Sequence, residues 1–238
     1  MNIAIIGYGK MGKEIEKIAL ERNHKIVLKI DINNIANFNK EHLLKADVAI
    51  EFSTPETAYA NINKCMDANL PVISGTTGWL DKIDKIKEKC NTEDKSFFYA
   101  SNFSIGVNIF FKINELLAQI MNQQTQYNVD IEETHHTQKL DAPSGTAVTI
   151  AEGLINSLDR KNNWNKETEN TEDAIAIKSF RIGDVPGNHT VKYDSPVDEI
   201  EISHKAKSRK GFALGAVLAA EYMKDKTGFR TMNDMLKF

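Results

Sequence analysis

The sequence predicts an α/β protein with a doubly wound parallel sheet over residues 1–103, followed by an α+β unit with a second, mostly antiparallel sheet. Residues 1–103 alternate short apolar runs with amphipathic segments, the pattern of linked βαβ units. Beyond Phe103 a long apolar-faced segment gives way to runs that alternate residue by residue, as strands with one buried face do. With 238 residues, 41% hydrophobic and 26% charged, the chain has an average folded composition and length enough for two modest domains.

Ile3–Ile6 read as a buried strand entering the turn Gly7-Tyr8-Gly9, and Met11, Ile15, Ile18 and Ala19 place one apolar stripe on a helix reaching about Asn23. Ile26–Ile30 is the next strand and ends at Asp31. Val48–Phe52 is a third; Ser53-Thr54-Pro55 then supplies a cap and first turn for a helix lined by Ala58, Ile62, Cys65 and Met66. Val72–Ser74 leads into Gly75-Thr76-Thr77-Gly78, a charged helix covers residues 80–91, and Phe97–Ala100 closes the series before Ser101-Asn102-Phe103. A domain boundary is expected near residue 104. The second domain, 104–212, opens with a helix over Ile105–Met121 and holds strands at 129–134, Ala174–Phe180, Thr190–Tyr193 and Ile200–Ser203, with a helix over Ala147–Leu158. Lys161–Asp173 reads as a polar surface loop. Phe212–Met223 reads as a helix, and the segment 213–238 is expected to pack back on the first domain.

A net charge of -3, with Lys and Arg scattered, leaves no footprint for nucleic acid. Two cysteines, Cys65 and Cys90, without ligand spacing argue against a disulfide framework or zinc site. The amino terminus shows no signal-peptide pattern and no apolar run approaches membrane length, so a cytosolic protein without a membrane partner is expected.

Gly7-Tyr8-Gly9-Lys10-Met11-Gly12 matches GxGxxG between a strand and an amphipathic helix. Asp31, at the end of the next strand, stands near the spacing of about 20 residues expected for a ribose-binding acid. In this context the string predicts a Rossmann dinucleotide site, with the pyrophosphate on the helix amino terminus. Asp31 would accept from a free 2′-hydroxyl and repel a 2′-phosphate, which favours NADH over NADPH. Gly75-Thr76-Thr77-Gly78 lies on the same sheet edge and reads either as a cofactor contact or as a plain turn.

In Glu133-Thr134-His135-His136-Thr137-Gln138-Lys139-Leu140-Asp141-Ala142-Pro143-Ser144-Gly145-Thr146, a strand is followed by a helix that Ser144 or Thr146 can cap. The helix start suits a carboxylate, and two histidines and a lysine add proton donors, as a hydride transfer coupled to protonation requires. A metal site is the rival reading, but adjacent histidines point apart on a strand and no HExxH partner exists.

The run His-His-x-x-Lys-x-Asp-Ala-Pro-Ser-Gly-Thr resembles the signature of the 4-hydroxy-tetrahydrodipicolinate (dihydrodipicolinate) reductase family. Further matches bracket it in order over nearly the whole chain: Phe52 to Pro55, Gly75 to Gly78, Ser101 to Gly106, Arg181 to Gly183 through Gly187 to Val191, and Ser203 to Ala206 with Arg209. The resemblance implies an NAD(P)H-dependent reduction of a small cyclic dicarboxylate in diaminopimelate and lysine synthesis, by a homotetramer that closes its domains on the ligands. It implies His135 as proton donor or acceptor, Lys139 as a second donor, and His136, Ser144, Gly145 and Thr146 as holders of the substrate carboxylates. Cofactor contacts would come from Gly7, Gly9, Lys10, Met11, Gly12, Asp31, Gly75, Thr76, Thr77, Ala100, Ser101, Asn102 and Phe103. The chain departs from many members in having GxGxxG in place of GxxGxxG, Ile32 in place of an Arg after the ribose acid, and shorter loops. An amino acid or semialdehyde dehydrogenase of related build would lack the His-His-x-x-Lys run, and a redox-sensing regulator would have little need of its proton donors.

Overall fold

The computed structural model describes residues 1–166 and 172–238. The chain divides into two compact units, Met1–Ser104 with Lys210–Phe238, and Ile105–Arg209. The first begins with β1 (Asn2–Ile6), α1 (Lys10–Glu21), β2 (Lys25–Ile30), a short α2 (Lys40–Leu43) and β3 (Val48–Glu51). It continues with α3 (Pro55–Asp67), β4 (Val72–Ser74), α4 (Ile83–Thr92) and β5 (Ser96–Tyr99). β1 and β3, at the centre, are almost wholly apolar because both of their faces are covered. α3 starts with Thr54 at its cap and Pro55 in the first turn, where a missing amide costs nothing.

The second unit holds α5 (Ile105–Met121), β6 (Asn128–His135), α6 (Gly145–Ile155), β7 (Asn163–Asn165), β8 (Ala174–Arg181), β9 (Asn188–Asp194) and β10 (Glu199–Lys205). Its sheet has the order β10-β9-β6-β8-β7 and is mixed. Pairing is antiparallel between β10 and β9 and between β9 and β6, as the residue alternation suggests, and parallel between β6 and β8 and between β8 and β7. The parallel half follows from α6, which carries the chain back across the sheet so that the next strands run in the direction of β6. Within the expected loop Lys161–Asp173, Asn163–Asn165 pairs with β8 as an edge strand too short to show a period; residues 167–171 lie outside the described residues.

The chain returns to the first unit with α7 (Lys210–Met223), β11 (Gly228–Arg230) and α8 (Met232–Leu236). The completed sheet is parallel throughout, in the order β11-β5-β4-β3-β1-β2. α7 packs on α1 and over β3, and Glu221 on it receives two hydrogen bonds of 2.8 Å from Arg22. β11 was invisible to periodicity: three residues led by a glycine make no pattern, and only pairing with β5 defines them. Each unit has its own core, around Ile62, Val72 and Phe97 in the first and Ile131, Ile150 and Val191 in the second. No helix among the described residues is long and apolar enough to cross a membrane.

Ile131 is fully buried at the middle of β6. Ile131→Ala should lower the unfolding free energy by about 2–5 kcal/mol, read from the urea midpoint; a loss under about 1 kcal/mol would contradict this packing.

Candidate active site

In the first unit, β1 ends in a turn that only glycine can make. Gly7 has φ +95, and a Cβ there would lie 2.0 Å from the Phe52 carbonyl oxygen. Gly12, one turn into α1, is buried, and its Cβ would stand 2.4 Å from the Gly7 oxygen. Together they let the helix start sit directly on the strand ends, with its first amides directed past Gly9, where a Cβ would meet nothing within 4 Å. A cleft of about 550 Å³ opens there, between the Gly7–Gly9 turn, the end of β2 and the Phe52–Thr54 loop. Asp31 lies in its wall, where its Oδ1 accepts 2.7 Å from the Asn33 amide while Asn34 folds back on Asp31 and Lys29. Apolar Ile30, Ile32 and Ile35 flank it, and among the described residues the lining contains no Lys or Arg. A glycine cradle at a helix start, a carboxylate at the second strand and an apolar slot beside it fit a dinucleotide.

None of the other predicted nucleotide residues is among the described lining of this cleft, and of them Gly75, Thr76 and Phe103 touch its Phe52–Ser53 wall. Lys10 is exposed, Met11 half-buried, and Gly12 is buried against the Gly7 carbonyl and Ile5. Gly75 abuts the Phe52 ring, which a Cβ would meet at 2.3 Å. Thr76 is buried, and its hydroxyl accepts 2.8 Å from the Ser53 amide and donates 3.0 Å to Glu51. Thr77 and Ser101 are exposed; Asn102 accepts from the Ser104 amide. Ala100 and Phe103 are buried, with Phe103 packed on Phe52 and Phe98. The hub of these loops is Glu51, a fully buried carboxylate at the end of β3 that receives the hydroxyls of Ser53, Ser74 and Thr76. Its signal in the sequence was an acid at the end of an apolar strand.

In the second unit, Val129, Ile131, Glu133 and His135 share one face of β6 and are all buried. The register sets Glu133 beside His189 of β9 and Ser179 of β8, and His135 beside Arg181. Glu133 Oε1 accepts 3.0 Å from the Ser144 amide and 3.2 Å from Arg181 Nη2, and His135 Nδ1 lies 3.2 Å from Oε2. Burial pushes the Glu133 carboxyl up, but the polar groups of His135, Ser144 and Ser179 around it outweigh this and hold the group well below its ordinary value of 4.5. His189 Nε2 stands 3.2 Å from the Ser144 hydroxyl and 3.8 Å from Glu133, with its ring edge-on to His135 at 5.1 Å. Burial, with repulsion from His135, pushes His189 down from 6.5 to about 3.

Ser144 is the cap of α6, accepting 3.2 Å from the Ala147 amide, so Gly145 and Thr146 form the first helical turn. Arg181 also donates to the carbonyls of Lys139 and Asp141 at 3.3 and 2.6 Å, fixing the loop between β6 and α6. On that loop Lys139 Nζ donates 2.7 and 2.8 Å to the two oxygens of Asp141. His136 points off the buried face and is half-buried. The structure thus brings His135 and Ser144 to the Glu133 carboxylate, leaves the Lys139 ammonium on Asp141 in the loop that Arg181 ties down, and adds Glu133, Arg181 and His189, which sequence reasoning left without a role. Donor atoms of Glu133, His135 and His189 lie within 4.8 Å of one another, as ligands of one cation would. The guanidinium on the same carboxylate and the hydroxyl beside His189 Nε2 make the cluster a hydrogen-bonded one.

Family models for dihydrodipicolinate reductase match this chain over residues 1–103 for the amino-terminal part and 106–236 for the carboxy-terminal part. The chain belongs to the dihydrodipicolinate reductase family. A 4-hydroxy-tetrahydrodipicolinate reductase from Christiangramia forsetii is 53% identical over 236 residues, spanning 99% of this chain and 98% of its own. One from Lawsonia intracellularis is 37% identical over 260 aligned positions, spanning 99% of both chains. Among solved structures, a dipicolinate-bound dihydrodipicolinate reductase from Paenisporosarcina sp. TG-14 shares the fold, with TM-score 0.81, 24% identity and 98% of each chain covered.

The unfolded chain protonates His189 near 6.5, whereas the folded chain does so only near 3. Its contribution is therefore whole above 6.5 and is lost as the pH falls from 6.5 toward 3, at up to about 1.4 kcal/mol per pH unit; Glu133 adds a loss of the same sign below 4.5. Between pH 7.5 and 5 the urea-measured stability of His189→Gln should fall less than wild type, by about 1–2 kcal/mol. Equal losses would contradict the buried, neutral imidazole.

Proposed function

We propose that this chain reduces 4-hydroxy-tetrahydrodipicolinate to tetrahydrodipicolinate, with loss of water and oxidation of a reduced nicotinamide dinucleotide, in diaminopimelate and lysine synthesis. The observation that carries this reading is the His135–Thr146 motif folded around a buried carboxylate and a helix start, in a chain 53% identical to a reductase of that name along its whole length. The first unit is the dinucleotide-binding domain and the second the substrate-binding and oligomerisation domain of a cytosolic homotetramer.

The reduced nicotinamide supplies the hydride when bound. Gly7 and Gly9 admit the pyrophosphate, the start of α1 stabilises its charge, and Asp31 takes a ribose hydroxyl. NADH is preferred to NADPH, because the described lining of the cleft presents Asp31 and no Lys or Arg to a 2′-phosphate. In the second unit His135 supplies the proton that completes the reduction. Lys139 exchanges Asp141 for a substrate carboxylate and is the second donor. The start of α6, with Ser144, Gly145 and Thr146, and His136 hold the carboxylates against positive potential.

Purified protein given the condensation product of pyruvate and aspartate semialdehyde should oxidise NADH, followed at the nicotinamide absorbance; no consumption with NADH or NADPH rejects the reading. His135→Ala and Lys139→Ala should each lower turnover by about 10²–10⁴, and wild-type rates in both would leave their roles wrong. The ratio of kcat/KM for NADH over NADPH should exceed about 10 and fall toward unity in Asp31→Ala; a ratio below one in wild type would overturn the preference.

A further inference from the structure

We infer that Glu133 is a positioning residue: it holds the Nδ1–H of His135, so that Nε2 is the nitrogen that takes up a proton from solvent and, from the imidazolium so formed, passes it to substrate. This rests on the reading of His135 as the proton donor and adds which atom acts and what orients it.

The carboxylate has two ends with different tasks. Oε1 is held by two donors, the Ser144 amide at 3.0 Å and Arg181 Nη2 at 3.2 Å, from two different elements. That leaves Oε2 facing His135 Nδ1 at 3.2 Å, and neither of these two buried atoms has a hydrogen-bond partner among the described residues, so each is the nearest group that can satisfy the other. An ionised carboxylate only accepts, so an unprotonated Nδ1 there would set lone pair against lone pair. The proton sits on Nδ1, and the imidazole's other nitrogen is the one open to chemistry, as where a buried carboxylate orients a catalytic histidine.

His189 does not compete for Oε2. Its Nε2 is 3.8 Å from Oε2 but 3.2 Å from the Ser144 hydroxyl. That hydroxyl accepts from the Ala147 amide and so can donate to the imidazole. The remaining charged and titratable neighbours are Arg181 on β8, held by Oε1 and two carbonyls; His204 on β10, paired in register with His189; and Lys139, engaged with Asp141 on the loop. On the far side of the ring, Gly187 has φ +153, and a Cβ there would stand 3.0 Å from His135 Nε2. The missing side chain leaves space at the nitrogen that the tautomer makes reactive.

The test is Glu133→Gln. Because Oε1 faces two donors, the amide oxygen must take its place, which turns the NH₂ toward His135 and forces Nδ1 to accept. Ring ¹⁵N spectra of His135 should show Nδ1–H in the wild-type protein and Nε2–H in Glu133→Gln. Turnover should fall about 10²-fold or more with the KM for the substrate within about threefold, and Glu133→Gln/His135→Ala should be no slower than His135→Ala. A wild-type ring already in the Nε2–H form overturns the inference without any variant being needed. So does a tautomer unmoved in Glu133→Gln, or a double variant slower than His135→Ala by the factor Glu133→Gln costs alone. His135→Ala turning over at the wild-type rate overturns the underlying reading of the site, and this inference with it; a slow His135→Ala with an unmoved tautomer overturns this inference alone.

Discussion

An ionised carboxylate placed in a protein interior costs several kcal/mol unless other groups replace the water it has lost. Glu133 is fully buried, and the second unit is built around that requirement. Its partners come from β8, from the start of α6 and from β6 itself, so the carboxylate is satisfied only when the parallel half of the sheet and the helix that crosses over it are all in place. The same bonds give the site its shape. Arg181 reaches from Glu133 to the carbonyls of Lys139 and Asp141, so the loop bearing the lysine is tied to the strand bearing the histidine.

The first unit solves a related problem by a parallel device. Two loops must converge at the carboxyl ends of β3 and β4, and Glu51 gathers their hydroxyls and the Ser53 amide around one buried acid. Gly7 and Gly12 remove the side chains that would keep α1 off the strand ends. A helix start, a glycine turn and the acid of Asp31 then form one wall of the cleft, with no Lys or Arg among its described lining residues.

Much of this was legible in the sequence where a local rule governs. The βαβ order, the glycine turn and Asp31 follow from periodicity and spacing over some thirty residues, which is the range at which a βαβ unit is a self-contained pattern. Ser144 as a cap likewise follows from its place before an apolar run. What escaped depends on pairing between distant segments. Glu133 lies next to the motif and keeps the period-two inward face of Val129 and Ile131, yet its meaning comes from His189 and Arg181, more than forty residues away. β7 and β11, three residues each, owe their existence to a neighbour's edge, and the parallel half of the second sheet comes from the crossover through α6 rather than from any strand's composition. Among the residues predicted to touch the nucleotide, Gly12, Thr76 and Phe103 are buried against Gly7, Ser53 and Phe52, contacts that local patterns do not reveal.

The most direct test of the account is the protonation of Glu133 itself, followed by the ¹³C shift of its side-chain carboxyl as the folded protein is taken down in pH. The account requires a carboxylate that stays ionised well below its ordinary value of 4.5. A carboxyl that takes up its proton at or above that value in the folded protein would mean that Ser144, Arg181 and His135 do not hold it as described, and the arrangement of the site would have to be abandoned.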